Sequence, residues 1–337
     1  MAFDVSIIKG KTAYDLVHQH TADCIRIVKE AYLAHGEGRT VNPDSYFLRF
    51  PDNPGARIIA LPAFLGRDSN VAGIKWIASF PENIAQGFPR ASAVLVLNDA
   101  TTGYPFAILE SSVISAARTA GSAVLAAEWL HDRQRRIHTL GIVGTGLIAR
   151  YVYRFLIATG WQIEHVRLFD AADGQAAAFQ ADVVTGGAHA SVAVSPDLPS
   201  LLGASSTIVL TTTAGAPYIH DVALFAHNPV VLHLSLRDLA PGILLASHNI
   251  VDDVEHVMKA NTSPHLVEQQ VGHRGFVTGT LAQVMTGAVT VDHTRPIVFS
   301  PFGLGVLDLA VGKWIYDEAS AAGEDLRLTD FFFDMTR

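Results

Sequence analysis

The feature that most constrains the fold is a glycine-rich turn between an apolar strand and a helix. The segment TLGIV, which ends at Val143, runs directly into Gly144-Thr145-Gly146-Leu147-Ile148-Ala149, and an amphipathic segment continues to Gly160. In such a turn the first glycine permits the tight bend, the second lets a diphosphate approach the backbone, and a small third residue allows close packing of helix and strand. The amino end of the helix favours negative charge. The segment therefore predicts a Rossmann-type unit that binds a dinucleotide.

The residues that end the next strands extend this prediction. The strand HVRLFD ends at Asp170, where a carboxylate accepts hydrogen bonds from ribose hydroxyls and repels a 2′-phosphate. No arginine follows directly, so the sequence favours NAD over NADP as the cofactor. Thr211, Thr212 and Thr213 end the strand STIVLTTT and are predicted to line the nicotinamide side, the alternative being an ordinary polar strand end.

The strand and helix patterns predict two domains. Strands and helices alternate across residues 126–302, which indicates a parallel, doubly wound sheet. The earlier runs SYFLRF, ARIIALPAF, VAGIKWIASF and ASAVLVLND predict a largely antiparallel sheet, and the helix from Gly305 to Ala322 is expected to fold back on it. We therefore predict an α/β protein with a Rossmann-type domain at 126–302 and an α+β domain formed by 1–125 and 303–337.

Composition narrows the class of protein. Of the 337 residues, 49% are hydrophobic and 17% are charged. Such a chain has more apolar surface than a monomer of this size needs to bury, which predicts a homo-oligomer. The formal charge of −8 and the lack of a basic run argue against nucleic acid. No leader or membrane-spanning stretch is evident, so a cytoplasmic protein is expected. Cys24, the only cysteine, excludes intrachain disulfides and thiolate clusters.

No metal-binding motif occurs, and no metal site is expected. Asp252, Asp253 and Glu255 form an acidic group that is more typical of a solvated face than of a cation site, because no oxygen-rich loop surrounds them.

Two cations interrupt apolar segments. Lys75 lies within VAGIKWIASF and Arg118 within SAARTAGSA. A cation on a buried element needs a partner, which is either a distant acid of the same chain or the carboxylate of a substrate.

A pair of opposite charges raises a similar question. Arg237 and Asp238 follow the apolar strand in VVLHLSLRDLAPG and form either a surface salt bridge or part of an active site.

Five motifs together resemble the ornithine cyclodeaminase/μ-crystallin superfamily over about residues 40–315. They are GIKWIASFPEN, SAARTAGSA, GIVGTGLIA, HLSLRDLAPG and SPFGLGVLDLA. The resemblance implies that the first domain binds the substrate and dimerises, while the Rossmann domain binds a nicotinamide cofactor. It implies that Lys75 and Arg118 hold the substrate α-carboxylate and that Asp238 is the acid/base residue. Ser235, which precedes Asp238 by three residues, is expected to contact the cofactor.

Within the superfamily the chain resembles the branch that makes 2,3-diaminopropionate for siderophores and peptide antibiotics. That resemblance implies NAD-dependent oxidation of N-(2-amino-2-carboxyethyl)-L-glutamate, followed by hydrolysis to 2-oxoglutarate and L-2,3-diaminopropionate. The substrate has three carboxylates, which Lys75, Arg118 and Arg237 are suited to bind, with Arg49 and Arg90 as weaker candidates. Either Asp238 or Lys75 is expected to activate the water that hydrolyses the imine.

Two alternatives remain open. The first is an ornithine cyclodeaminase or an alanine dehydrogenase-like enzyme, although Ile59 stands where cyclodeaminases carry a glutamate, and SLRDLAPG replaces a segment that reads roughly GGDCPGK in them. The second is a μ-crystallin-like protein that binds a nucleotide and a small ligand without turnover.

Overall fold

The chain forms two compact units in the computed structural model, which describes residues 3–66, 69–184 and 188–333. The first unit comprises Met1–Arg118 and Leu304–Arg337, and the second comprises Thr119–Gly303. The chain passes from the first unit to the second within a long helix, before the boundary at residue 125 that the sequence suggested. Among the described residues no helix is both long and apolar enough to cross a membrane.

Sixteen strands and eleven helices make up the described part of the chain. In chain order they are β1 (Val5–Ile8), α1 (Gly10–Gln19), α2 (Thr21–Gly36), β2 (Thr40–Val41), β3 (Tyr46–Phe50), β4 (Asn53–Leu65), β5 (Val71–Ser79), β6 (Ala91–Asp99), β7 (Pro105–Glu110), α3 (Ser112–Leu130), β8 (Arg136–Val143), α4 (Leu147–Ala158), β9 (Gln162–Phe169), α5 (Gln175–Asp182), β10 (Ser191–Val194), α6 (Leu198–Ala204), β11 (Thr207–Leu210), β12 (Val230–His233), α7 (Pro241–Leu245), β13 (His248–Val251), α8 (Val254–Val257), α9 (Ser263–Val271), β14 (Val277–Thr280), α10 (Leu281–Thr286), β15 (Ile297–Ser300), α11 (Gly305–Ala322) and β16 (Leu326–Leu328). Short 3-10 helices cover Pro81–Gln86 and Val222–Phe225.

The first unit is built on a mostly antiparallel sheet with the strand order β16-β1-β7-β6-β5-β4-β2, and β3 pairs with β4. Only β1 and β7 pair in parallel within this sheet. Helix α11 packs closely on the sheet, because a Cβ added at Gly312 would lie 2.2 Å from Leu95 Cδ2. The first half of this helix, from Gly305 to Gly312, is buried on all sides, which agrees with its almost continuous apolar sequence. The single acid of its first turn, Asp308, is buried with it.

The second unit contains eight parallel strands in the order β10-β9-β8-β11-β12-β15-β13-β14, which confirms the predicted doubly wound sheet. Its central strands are buried on both faces, as their apolar sequences indicate. The core on one side includes Ile208, Val231 and Val298. The strand order reverses direction between β8 and β11, where ligands bind in sheets of this type. The sequence patterns did not predict β14 and β15.

Candidate functional site

The loop after β8 touches the loop after β11. Gly144 has a φ of +82°, and a Cβ at this position would lie 2.9 Å from the Thr211 carbonyl oxygen. The Thr211 hydroxyl donates a hydrogen bond of 2.6 Å to the Gly144 carbonyl oxygen. Glycine is therefore required at residue 144 both for its backbone conformation and for the close approach of a neighbouring strand end.

The second glycine of the loop faces open space. A Cβ at Gly146 would meet no described atom within 4 Å, and helix α4 begins at the next residue without a side-chain cap. Leu147, in the first turn, is 54% exposed. The first N–H groups of a helix have no partner within the helix and bind anions readily. The loop thus fits the diphosphate of a dinucleotide.

Asp170 holds the same loop in place. Its Oδ2 accepts hydrogen bonds from the Thr145 backbone nitrogen at 2.7 Å and from the Thr145 hydroxyl at 2.9 Å. Its Oδ1 accepts one from the Ala172 nitrogen at 3.0 Å. A carboxylate has about four lone-pair directions, so acceptor capacity remains for a ribose hydroxyl. The ribose contact itself stays a prediction.

Asp238 lies at the centre of a buried network of hydroxyl groups. Its side chain has no solvent exposure, and its Oδ1 accepts hydrogen bonds from Thr212 and, at 2.8 Å, from Tyr218. Its Oδ2 accepts a short hydrogen bond from Ser235. Protein hydroxyl groups therefore satisfy the hydrogen-bonding capacity of this buried carboxylate.

His233 also contacts this acid. Its Nε2 lies 3.1 Å from the Asp238 backbone nitrogen and 3.2 Å from Oδ2. When the only ring proton is on Nδ1, Nε2 accepts the bond from the Asp238 backbone nitrogen and Nδ1 donates to the Ser300 hydroxyl at 3.1 Å. When Nε2 carries a proton, it donates to the Asp238 carboxylate instead. Burial raises the pKa of Asp238, but its bonds to His233, Ser235 and Thr212 outweigh this and lower the pKa to about 2. Asp238 is therefore an anion at neutral pH.

Arg237 does not pair with Asp238, so the surface salt bridge considered from the sequence is wrong. The chain turns at Leu236, which has a φ of +74°, and this turn directs the two charges differently. Arg237 donates through Nε and Nη2 to the Ala260 carbonyl oxygen at 3.1 and 2.6 Å. A non-glycine residue in this conformation is strained, which is common at functional sites.

In the first unit, Lys75 and Arg118 share one buried acid. Lys75 Nζ lies 2.7 Å from Asp308 Oδ2, and Arg118 Nε lies 3.3 Å from Asp308 Oδ1. The side chains of Lys75 and Asp308 are 2% and 0% exposed, and that of Arg118 is 13% exposed. The two cations therefore pair with a distant acid of the same chain, which was one of the two possibilities raised by the sequence. Because two cations share one carboxylate, the cluster has one positive charge in excess.

The charge state of Lys75 follows from its surroundings. Burial lowers the pKa of the ammonium group, the Asp308 carboxylate opposes this, and the charge of Arg118 lowers it further, to about 8. Lys75 is therefore mostly protonated at pH 7. It also donates to Ser115 Oγ at 3.3 Å, while the described residues offer no hydrogen-bond partner to the Nη groups of Arg118. Those groups are free to bind a carboxylate.

A second group of cations lies at one end of the same sheet. Arg49 pairs directly with Arg57 across β3 and β4, and Arg57 pairs with Ser79 on β5. Arg90 Nη1 lies 3.5 Å from the Ser79 hydroxyl. Burial, and to a smaller extent the charge of Arg57, lowers the pKa of Arg90. Among the described residues none of these three arginines forms an ion pair. We call Arg49, Arg57 and Arg90 the arginine row.

Like charges placed opposite each other destabilise a sheet. The arginine row therefore offers unneutralised positive charge to an anionic ligand.

Several of the predicted residues have other surroundings than the sequence suggested. Of the threonines after β11, Thr213 is exposed, Thr211 binds the glycine loop and Thr212 binds Asp238, and their place beside the nicotinamide stays a prediction. Asp252 is buried and accepts hydrogen bonds from the backbone of Phe302 and Gly303, so its assignment to a solvated face is wrong.

The sequence reading missed Asp308, Tyr218 and Arg57. Asp308 was detectable, because it is an acid within the apolar run GVLDLAVG, as Lys75 is a base within a similar run. Tyr218 lies in a segment without regular apolar spacing, and Arg57 stands near the start of the apolar run ARIIALPAF, where a charged residue is ordinary.

The fold, the glycine loop and the two buried charge clusters define a dehydrogenase-like α/β protein. The ornithine cyclodeaminase/mu-crystallin family model matches residues 12–323, and the chain belongs to this family. The N-((2S)-2-amino-2-carboxyethyl)-L-glutamate dehydrogenase of Staphylococcus aureus is 26% identical over 310 residues, or 89% of this chain and 91% of that protein. The alanine dehydrogenase of Archaeoglobus fulgidus is 25% identical over 88% of this chain and 90% of its own length.

A solved structure shows the same fold. The Thermococcus litoralis Delta(1)-pyrroline-2-carboxylate reductase, in complex with NADH and L-proline, matches with a TM-score of 0.85. The match covers 96% of this chain and 99% of the other at 22% identity.

We expect Asp308→Asn to destabilise the first unit. The substitution leaves two cations, one of them fully buried, without their shared carboxylate, and breaking a buried ion pair in this way costs about 3–5 kcal/mol. Urea unfolding followed by circular dichroism measures the loss. The matched control is Asp317→Asn on the same helix, since Asp317 pairs with Lys313 but is 53% exposed. Its change should stay within about 0.5 kcal/mol; equal losses for both variants would contradict a structural role for Asp308.

Proposed function

We propose that the chain is an NAD-dependent oxidoreductase that acts on a CH–NH group of an amino acid, and that its substrate is N-(2-amino-2-carboxyethyl)-L-glutamate. Family membership and the Staphylococcus aureus relative support the reaction type. The observation that carries the choice of substrate is the excess positive charge in the described part of the first unit, where Lys75 and Arg118 share one acid and the arginine row forms no ion pair.

NAD fits the residues of the second unit. The open glycine loop and the uncapped start of α4 suit a diphosphate, and Asp170 disfavours a 2′-phosphate. When bound, this cofactor supplies the hydride acceptor for the reaction. The residues of the chain bind and orient it through the loop, and Thr145 keeps Asp170 beside the loop.

The number of cations matches a substrate with several carboxylates. The cluster of Lys75, Asp308 and Arg118 has one excess positive charge, and the arginine row adds further cations without an ion-pair partner in the described chain. The proposed substrate carries three carboxylates, whereas alanine carries one and ornithine adds an ammonium group that the row would repel. A protein with a net charge of −8 needs such local cations to bind a polyanion.

The proposed reaction consumes one NAD and one water. A hydride leaves the Cα of the glutamate part, the bridging amine loses a proton, and the C–N bond becomes an imine. Water adds to the imine carbon and the C–N bond then breaks, which gives 2-oxoglutarate, L-2,3-diaminopropionate, NADH and a proton. In this proposal the first unit holds the carboxylates and the second unit holds the cofactor and Asp238.

The pKa values distinguish the parts played by two residues. A pKa of about 2 makes Asp238 a weak base but a constant anion, and such an anion stabilises the positive charge that develops on the C–N group as the hydride leaves. Lys75, with a pKa of about 8, exchanges protons near neutral pH. We therefore assign electrostatic stabilisation to Asp238 and water activation to Lys75.

We also propose that the protein is a homodimer located in the cytoplasm. Its product, 2,3-diaminopropionate, would serve siderophore or peptide-antibiotic biosynthesis. The sheet of the first unit leaves large apolar side chains on the surface, which supports association of two copies. They include Tyr46, Leu48, Trp76 and Val94, which are 70%, 47%, 43% and 42% exposed.

The first test is formation of NADH when the protein is mixed with NAD and N-(2-amino-2-carboxyethyl)-L-glutamate. We expect a rise in NADH absorbance with an equal amount of 2-oxoglutarate, and no rise with alanine or ornithine in parallel. Ammonia and proline from ornithine would instead show a cyclodeaminase, and NADH from alanine alone an alanine dehydrogenase. Cofactor binding without turnover of any of the three would favour a binding protein.

Arg118→Ala should raise the apparent KM for this substrate by about 10- to 100-fold, because a charge-assisted hydrogen bond contributes about 1.5–3 kcal/mol. Steady-state kinetics at saturating NAD measure the change. The matched control is Arg26→Ala, since Arg26 is an exposed arginine paired with Asp23 and Glu30. An unchanged KM in the Arg118 variant would remove this residue from carboxylate binding.

Asp238→Asn should lower kcat by roughly 100- to 1000-fold, as expected for the loss of a preorganised charge, while the affinity for NAD is retained. The pH profile of kcat/KM tests its role, since an anion with a pKa of about 2 contributes no acid limb between pH 5 and 8. An acid limb that disappears in the variant would show instead that Asp238 is a general base. Asp197→Asn is the control, because Asp197 caps α6 at the surface and asparagine caps equally well.

A further inference from the structure

Three potential metal ligands lie together on the surface of the second unit. His138 on β8 and Glu164 and His165 on β9 each offer one ligand atom, and these atoms lie within 4.8 Å of one another. Their side chains are 67%, 56% and 31% exposed. Among the described residues this is the only such group of three.

The distances in this cluster suit a small cation. His138 Nδ1 lies 2.8 Å from Glu164 Oε2, and His165 Nε2 lies 3.4 Å from Glu164 Oε1. In a tetrahedral zinc site with bonds of about 2.0–2.1 Å, neighbouring ligand atoms are ~3.3 Å apart. The strand register places His138 opposite Glu164, because Ile137 pairs with Ile163 and Thr139 with His165, and His165 is the next residue of β9.

A further contact prepares His165 for metal binding. Its Nδ1 lies 2.8 Å from the hydroxyl of Ser191, the residue beside it on β10. A histidine ligand commonly donates its second ring N–H to an oxygen, which fixes the tautomer and directs the lone pair of the other nitrogen. With Nδ1–H donated to Ser191, the lone pair of Nε2 is available on the side of Glu164.

The cluster is separate from the residues proposed to bind the cofactor. His138 and Glu164 lie near the amino ends of β8 and β9, whereas the glycine loop follows the carboxyl end of β8. Gly144 lies six positions beyond His138 along the chain, a rise of roughly 20 Å at 3.3 Å per residue. His138 and Glu164 also line a surface groove of about 590 Å³, so water can complete the coordination.

We propose that His138, Glu164 and His165 form a surface site for a divalent transition-metal ion with a preference for imidazole nitrogen, such as Zn²⁺, with water in the remaining positions. Two imidazoles and one carboxylate favour Zn²⁺, Ni²⁺ or Cu²⁺ over Mg²⁺ and Ca²⁺. A bound ion joins β8 to β9 and, through Ser191, to β10. The sequence contains no spacing motif for this site, because its ligands come from two strands. The proposal differs from the expectation, based on the sequence, that no metal binds.

The test is a zinc titration of the full chain, without an affinity tag and freed of metal by a chelator, in competition with a chromogenic chelator. The wild-type protein should bind one zinc ion more than His138→Gln or His165→Gln. Zn²⁺ should raise the thermal unfolding temperature of the wild type but not of these variants, and Mg²⁺ should raise neither. Ser191→Ala should weaken binding by about 10- to 100-fold.

The matched control is His293→Gln. His293 is an exposed histidine of the same unit that contacts a single carboxylate, Asp132, at 3.2 Å. This variant should bind as many zinc ions as the wild type. If the wild type binds none, or if the double variant of His138 and His165 binds as many as the wild type, the site does not exist. Circular dichroism of the metal-free variants confirms that they are folded, which is expected because both histidines are exposed at least in part.

Discussion

The contact between the backbone of Gly144 and that of Thr211 determines the arrangement of the second unit's candidate site. It occurs where the strand order of the parallel sheet reverses, and it brings the glycine loop against the end of β11. Thr211 binds the carbonyl of Gly144, and the next residue, Thr212, binds the carboxylate of Asp238. The glycine loop and the buried acid are therefore joined through two adjacent threonines. Any side chain at residue 144 would separate them.

The first unit depends on a buried charge cluster that is incomplete. Burying Lys75 and Asp308 is unfavourable unless both are paired, and the pairing with Arg118 leaves one positive charge without a counterion. The arginine row places like charges across neighbouring strands, which also costs stability. Such arrangements persist where a ligand supplies the missing charge. Both features are consistent with a site for a substrate with several carboxylates.

Most of the fold was predictable because its signals are local. The glycine loop identified β8 and α4, the alternating pattern identified the parallel sheet, and the helix α11 has the predicted bounds of Gly305 and Ala322. The strands β14 and β15 were missed, because VTGT contains a single large apolar residue and IVFS is a short run between two prolines. The insertion of β15 between β12 and β13 follows from strand pairing, which the order of residues along the chain does not reveal.

The sequence by itself determined the class of each unit, the glycine loop, and the identity of Lys75, Arg118 and Asp238 as charges within apolar surroundings. These follow from short-range patterns, because a charged residue within an apolar run is visible wherever it later packs. Only the tertiary structure decided the partners: Asp308 for the two cations, Tyr218 and Ser235 for Asp238, and Arg57 for Arg49. Long-range pairing depends on how strands and helices meet in space, so residues distant in sequence become neighbours without any local signal.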